Sequence, residues 1–139
     1  MAPKAKRWNA GWGAASLVAG MGTNPQAVDP AQVASRLNAL YPMASNGNHY
    51  FTMIYGLLDV RTRRLRFTVA GHPPPILVRE GSPPKRLDAR GFAIGMIDEA
   101  EYEEWAVDLQ PGDRLYLHSD GLTEEVNAQD QAFGDERLL

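Results

Sequence analysis

Residues 50–71, "YFTMIYGLLDVRTRRLRFTVAG", carry the clearest strand pattern in the chain. Its first half is rich in aromatic and β-branched residues, which favour a β-strand. Its second half alternates apolar with polar residues, which predicts a second strand with one apolar and one polar face. The apolar face comprises Leu65, Phe67 and Val69, and the polar face comprises Arg64, Arg66 and Thr68. Because only "RTRR" (61–64) lies between the runs, they are predicted to pair as an antiparallel hairpin.

Further strands are predicted after this hairpin. "HPPP" (72–75) cannot pair inside a sheet because proline lacks an N–H donor, and "ILVRE" (76–80) has the pattern of the next strand. "WAVDL" (105–109) and "DRLYLHS" (113–119) flank a Pro-Gly turn and are predicted to form a second hairpin. Runs of strands, with the helices grouped elsewhere, indicate the α+β class with antiparallel sheet.

A helix is predicted ahead of the strands, over residues 29–41. Asp29 can cap it, Pro30 suits its first turn, and Pro42 ends it. The predicted apolar face consists of Val33, Leu37, Leu40 and Tyr41. A short helix of small residues is also predicted for "AASLVAG" (14–20).

Length, charge and composition limit the possible functions. The 139 residues are predicted to form a single domain, 1–139. A formal net charge of -3 gives no support for a nucleic-acid-binding surface, and the absence of cysteine excludes disulfides, thiolate metal sites and cysteine nucleophiles. No apolar run is long enough to span a membrane, and Gly11 and Gly13 interrupt the N-terminal stretch where a secretory leader would be apolar. We therefore expect a cytoplasmic protein with neither a nucleic-acid nor a membrane partner.

The first candidate site lies at "SDG", residues 119–121, where an apolar strand is predicted to end. Gly121 permits a tight turn or a positive φ, and a carboxylate on a rigid strand end can hold a hard cation such as Mg²⁺ or Mn²⁺. The same residues fit an ordinary Asp-Gly turn, or Asp120 as the cap of a helical turn. Both interpretations stay open on these residues, and the turn is favoured because Asp-Gly is a common turn dipeptide.

Two glycine-containing segments are the next candidates. In "AGHPPP" (70–75), Gly71 allows a close backbone approach. His72 could contact phosphate or metal, although a structural hydrogen bond is the commoner role of a single histidine. "GFAIGM" (91–96) could line a pocket or lie over the core.

Two clusters of like charge are interpreted as solvated surface. The acidic cluster is expected to be an exposed face, and the basic cluster a charged hairpin tip rather than a docking site for an acidic or phosphorylated partner. They comprise Glu99, Glu101, Glu103 and Glu104, and Arg61, Arg63, Arg64 and Arg66.

Taken in order, these segments resemble the PPM family of metal-dependent serine/threonine phosphatases, in its bacterial SpoIIE-like (RsbU-like) branch. The resemblance runs from about residue 50 to residue 139 and implies an α-β-β-α sandwich of two antiparallel sheets flanked by helices. It also implies two Mn²⁺ or Mg²⁺ ions that activate a water, and a phosphorylated regulatory protein, similar to an anti-anti-sigma factor, as the partner.

The resemblance assigns roles to five residues. Asp120 falls on the aspartate of the family's SDG motif, a metal ligand and thus catalytic, and Gly121 follows it in the metal motif. Gly71, His72 and Ser119 are expected to support the site rather than to bind metal.

Two motifs depart from the family pattern. The family carries Gly-Asp-x-x-Gly-His-Gly, and "RWNAGWG" (7–13) would place Trp8 at the Asp position and Trp12 at the His position. The chain also stops before the family's late Asp-Asp pair, so the domain is expected to be incomplete. A single carboxylate is a poor Mg²⁺ site. We therefore predict a phosphoserine/phosphothreonine phosphatase domain with weak or no turnover, and keep a non-catalytic pseudophosphatase that binds the regulatory partner as the alternative.

Overall fold

The computed structural model describes residues 28–139. Its elements are α1 (Pro30–Leu40), β1 (Met53–Asp59), β2 (Arg64–Ala70), β3 (Ile76–Val78), β4 (Lys85–Arg86), β5 (Trp105–Asp108), β6 (Arg114–Tyr116) and α2 (Asp120–Thr123), with single 3-10 turns at Met43–Ser45 and Asp135–Arg137. The strands form two antiparallel sheets with the orders β1-β2-β5 and β4-β3-β6. This arrangement confirms the predicted α+β class. The two sheets form part of the predicted sandwich. The segments 7–13 and 14–20 lie outside the described residues.

The predicted first hairpin is confirmed. β1 and β2 pair from Met53 opposite Ala70 to Asp59 opposite Arg64. The Asp59 carboxylate accepts hydrogen bonds from the backbone N–H groups of Arg61 and Thr62, at 2.9 and 3.3 Å. These bonds favour the charged form and lower the pKa of Asp59. The turn is therefore stabilised by its own first residue.

The predicted alternation of apolar and polar residues along β2 assigns the side chains to its two faces, but it does not predict that both faces are buried. Residues 67–70 are all buried, because β2 is the central strand of its sheet and both of its faces are covered. Phe67 and Val69 pack with Ala89, which follows β4, while Ala70 packs with Ala34 of α1. The polar Thr68 is tolerated there because its hydroxyl donates a hydrogen bond to the Glu103 carbonyl, at 2.8 Å.

The prediction of a second hairpin is wrong. β5 pairs with β2 in the first sheet, whereas β6 pairs with β3 in the second. The intervening turn leads from one sheet to the other, and an ion pair between Arg79 and Asp113, 2.6 Å apart, fixes it to the end of β3. Local sequence favours a turn at Pro111 but does not specify which strands pair, because the partners come from distant parts of the chain.

The predicted helix is confirmed, but only part of its predicted apolar face is: Leu37 packs against the core, whereas Leu40 and Tyr41 are exposed. The buried residues are Pro30, Ala34 and Asn38, while Leu40 is 70% exposed. Small side chains allow the helix to approach the sheet closely, so the larger apolar residues at its C-terminal end point away from the core. Asp29 makes no side-chain cap and instead forms an ion pair with Arg66 of β2.

No helix within residues 28–139 is long and apolar enough to span a membrane.

Candidate functional site

Gly71 of the "AGH" segment lies directly against the 91–96 segment. Its φ is +64° and its N–H donates a hydrogen bond to the Gly91 carbonyl, at 2.7 Å. A Cβ added at Gly71 would lie 2.7 Å from the Cβ of Ala93, closer than atoms can pack. The two segments that the sequence singled out separately are therefore one tightly packed unit, and Gly71 is required there for its lack of a side chain.

The 91–97 loop covers the core with Ala93 and Ile94, while Phe92 at its start is exposed and lines a surface groove. Ile94 is fully buried and exchanges two backbone hydrogen bonds with Phe51. Asn38 of α1 fixes the next part of the loop, accepting from the Gly95 N–H at 2.7 Å and donating to the Ile97 carbonyl at 3.0 Å. The same Asn38 oxygen accepts a hydrogen bond from the Tyr102 hydroxyl, at 3.1 Å. This loop is thus held rigidly beside the "AGH" segment.

His72 is buried immediately after Gly71. Its Nδ1 lies 2.9 Å from the carbonyl oxygen of Pro73, which accepts a hydrogen bond when that nitrogen carries the proton. The ring is therefore oriented by the adjacent backbone, as a residue that supports a site would be.

Asp120 begins a single helical turn, and its side chain is exposed. One carboxylate oxygen accepts a hydrogen bond from the N–H of Gly121, at 2.9 Å. Its main-chain oxygen accepts from the N–H of Glu124 and the hydroxyl of Thr123. The second carboxylate oxygen has no hydrogen-bond partner within residues 28–139 and is available to a ligand.

The predicted strand end at this site is wrong, and the conformational freedom of Gly121 is not used. The strand ends at Tyr116 rather than Ser119, so Asp120 projects from a helical turn instead of a strand end. Gly121 does not have a positive φ, and a Cβ there would meet only the Ser119 hydroxyl, at 3.6 Å. Because that distance is an ordinary van der Waals contact, the local backbone does not require glycine at this position.

The described residues do not assemble the donor set of a two-metal site. Within residues 28–139, no group of three or more His, Asp or Glu side chains is placed to hold a metal ion. Of the two aspartates that follow in sequence, Asp135 forms an ion pair with Arg86, and Asp130 lies in a turn with φ +55° and joins no group of potential metal ligands. The implied Mn²⁺ or Mg²⁺ ions therefore do not fit this part of the chain, where Asp120 is the one carboxylate among the two residues, Asp120 and Gly121, that the resemblance assigns to the metal.

The basic cluster is partly neutralised by the sheet. Arg66 holds both oxygens of Glu104, at 2.7 and 2.9 Å, and also contacts Asp29. These hydrogen bonds, first to Glu104 and then to Asp29, raise the pKa of Arg66 further above its usual range. Arg64 is exposed but pairs with Asp108, so Arg61 and Arg63 are the arginines of this cluster that form no ion pair within residues 28–139. The expected charged tip is thus smaller than the sequence predicted.

A groove that the sequence did not reveal lies next to the 91–97 loop. It is open to solvent, has a volume of about 610 Å³, and is lined by Asp88, Arg90, Gly91, Phe92, Glu101, Glu103 and Trp105. We call it the acidic groove. The run of glutamates in the sequence indicated an acidic surface. The position of the groove beside the "AGH" segment depends on the long-range contact between Gly91 and Gly71, which the sequence did not reveal.

Comparison with known sequences gives the family. The sequence model of the family described as "Stage II sporulation protein E (SpoIIE)" matches residues 14–139. The chain belongs to the SpoIIE family. This match begins after residues 7–13, so the placement of Trp8 at the position of the motif aspartate remains a prediction.

Two curated relatives of the SpoIIE family come from Bacillus subtilis (strain 168). The phosphoserine phosphatase RsbP is 28% identical over 101 residues, which cover 70% of this chain and 25% of RsbP. The phosphoserine phosphatase RsbU is 26% identical over 98 residues, which cover 70% of this chain and 29% of RsbU. The chain thus spans less than a third of the length of these relatives.

A solved structure shares the fold. The RsbU and RsbW domains of a Mycobacterium tuberculosis protein superpose with a TM-score of 0.59 at 22% identity, over 70% of this chain and 27% of that one. The similarity supports the α+β arrangement of the SpoIIE family at the level of the fold.

Proposed function

We propose that this chain is a SpoIIE-type protein phosphatase domain that acts on phosphoserine or phosphothreonine of a regulatory partner similar to an anti-anti-sigma factor. The observation that carries the proposal is the family match over residues 14–139, which includes all three motifs in order. The relatives named as phosphoserine phosphatases support the reaction class.

We assign the following roles to residues of this chain. The free carboxylate oxygen of Asp120 faces solvent, where it can reach a ligand that arrives at the surface. The packing of Gly71 against Ala93 fixes the backbone on either side of His72 and so sets the position of that buried ring. The assignment of Mn²⁺ or Mg²⁺ as cofactor comes from the family resemblance.

We further propose that turnover is weak or absent in this chain. Trp8 stands where the family motif has an aspartate, and tryptophan has no oxygen ligand to offer a hard cation. The alternative function, a non-catalytic module that binds the same partner, is favoured because Asp120 belongs to no group of three or more His, Asp or Glu side chains placed to hold a metal ion among the described residues.

Hydrolysis of p-nitrophenyl phosphate and of a phosphoserine peptide, with and without Mn²⁺, tests the proposal. Asp120→Asn is the test variant and Asp130→Asn is the matched control, since both are exposed aspartates near the C-terminal end of the chain. Slow Mn²⁺-dependent hydrolysis that is lost in Asp120→Asn and kept in Asp130→Asn would support a phosphatase. If the folded protein hydrolyses neither substrate under any condition, the phosphatase function is rejected and the non-catalytic binding module remains.

Trp8→Asp provides a gain-of-function test of the motif assignment. If Trp8 occupies the ligand position, the aspartate is expected to raise Mn²⁺-dependent hydrolysis above that of the unmodified chain. Unchanged hydrolysis in a folded Trp8→Asp variant would reject the placement of residues 7–13 on the family motif.

A further inference from the structure

The acidic groove carries unbalanced negative charge. Asp88, Glu101 and Glu103 are exposed, and none of them forms an ion pair with another residue in the range 28–139. Arg90 is the single cationic residue in the lining. Because several like charges around a concave surface raise the local potential, the groove favours a positively charged occupant.

The groove also presents aromatic surface. Phe92 is 54% exposed although it belongs to a loop whose next two residues are buried. Trp105 forms part of the wall and is half-buried, with its indole N–H enclosed in the protein. An occupant that combines cationic with apolar side chains would match both features.

The wall of the groove continues into an open sheet edge. β5 pairs with β2 on one side, and among residues 28–139 no strand pairs with its other side. An exposed edge of this kind offers backbone N–H and C=O groups to an added extended segment. Glu103 and Trp105 are two residues apart, so their side chains lie on the same face and would meet alternate side chains of that segment.

The groove ends beside the candidate site. Gly91, one of its lining residues, accepts the hydrogen bond from Gly71, and His72 follows directly. A chain lying in the groove would therefore lead towards the "AGH" segment.

We propose that the acidic groove and the open edge of β5 bind an extended, lysine- or arginine-rich segment of the partner protein, with apolar residues between its cationic ones. That this segment belongs to the phosphorylated regulatory protein rests on the proposed function. The binding surface itself is independent of catalysis, since none of the groove carboxylates is assigned to the reaction.

Fluorescence anisotropy with a labelled, unphosphorylated peptide that alternates lysine with leucine tests this surface separately from the reaction. The full chain is expected to bind it, and to bind more weakly as salt is raised. The double variant Glu101→Gln/Glu103→Gln is expected to weaken binding roughly 3- to 10-fold, from the loss of two partly exposed ion pairs. Glu80→Gln/Glu136→Gln is the matched control, because it removes the same charge at exposed sites outside the groove.

Hydrogen exchange of the peptide-bound chain locates the contact. Protection is expected in the amides of residues 103–108, which include the open edge of β5. Equal weakening by both double variants, no weakening by the groove variant, or protection elsewhere would overturn the proposal. So would binding that appears only after Lys4, Lys6 and Arg7 are replaced by glutamine, because the chain's own basic N-terminal segment would then be the occupant. Peptide binding without any hydrolysis in the assay above would reject the phosphatase reaction for this chain and leave both the non-catalytic alternative and this binding surface standing.

Discussion

Replacement of Asn38 by alanine is expected to loosen the 91–97 loop and to lower the free energy of unfolding substantially. Asn38 is 5% exposed and makes three hydrogen bonds, two that join α1 to the loop at Gly95 and Ile97 and one with Tyr102. Burial raises the pKa of Tyr102, so its hydroxyl stays protonated and continues to donate. The variant would leave all three partners without the Asn38 side chain.

The size of the effect follows from which partners remain buried. The N–H of Gly95 is enclosed, and an unsatisfied buried donor costs about 1–3 kcal/mol. The hydroxyl of Tyr102 and the carbonyl of Ile97 each lose a bond worth about 0.5–1.5 kcal/mol, and Ile97 can recover part of this from water because it is 40% exposed. We therefore expect a total loss of about 3 kcal/mol.

Urea-induced unfolding followed by circular dichroism measures this loss. Asn46→Ala is the matched control, since Asn46 is exposed in the turn after α1 and its side chain makes no hydrogen bond to residues 28–139. The control is expected to change the unfolding free energy by less than about 0.5 kcal/mol. A loss below about 1 kcal/mol for Asn38→Ala, at an unchanged slope with urea, would refute the view that this side chain fixes the loop.

Three other variants test the fold and the site. Gly71→Ala is expected to destabilise the protein by at least about 1 kcal/mol more than Gly81→Ala in thermal unfolding, because both glycines have positive φ but only Gly71 would clash with the 91–97 loop. The hydrogen bond from Arg79 lowers the pKa of Asp113 from 3.8 to about 2. As the pH falls, Asp113 is therefore protonated in the unfolded state before it is protonated in the folded state. The melting temperature is expected to fall between about pH 4 and pH 2, and to fall less over that range in Asp113→Asn. Asp120→Asn is expected to change the unfolding free energy by less than about 0.5 kcal/mol, since its carboxylate is exposed; a larger loss would mean that Asp120 serves the fold.

The outcome of the sequence predictions depended on the range of the interactions involved. The first hairpin was predicted correctly because its two strands are adjacent in the chain and a short turn limits how they can meet. The helix was also located correctly, but its buried face was predicted only in part, because burial depends on the sheet beneath it. Ala34 and Asn38 are buried there, whereas Leu40 is exposed.

The candidate site shows the same division. Its motifs were recognisable in sequence, since Gly71, His72 and Asp120 stand in short segments of characteristic composition. Sequence could not show that Gly71 contacts Ala93, because that contact joins segments about twenty residues apart through a backbone approach that no local pattern encodes. It also placed Asp120 at a strand end, whereas the chain leaves the sheet earlier.

The class of the fold, the first hairpin, the limits of the helix and the family could be predicted before folding is considered, because each depends on local periodicity or on short ordered motifs. Tertiary structure was needed to show that β5 and β6 belong to different sheets, with Asp113 and Arg79 fixing the turn between them. It also decided that the glutamates before β5 form one wall of a groove. Strand pairing and groove formation bring together distant segments, and their free energy comes from contacts that exist only once the chain has folded.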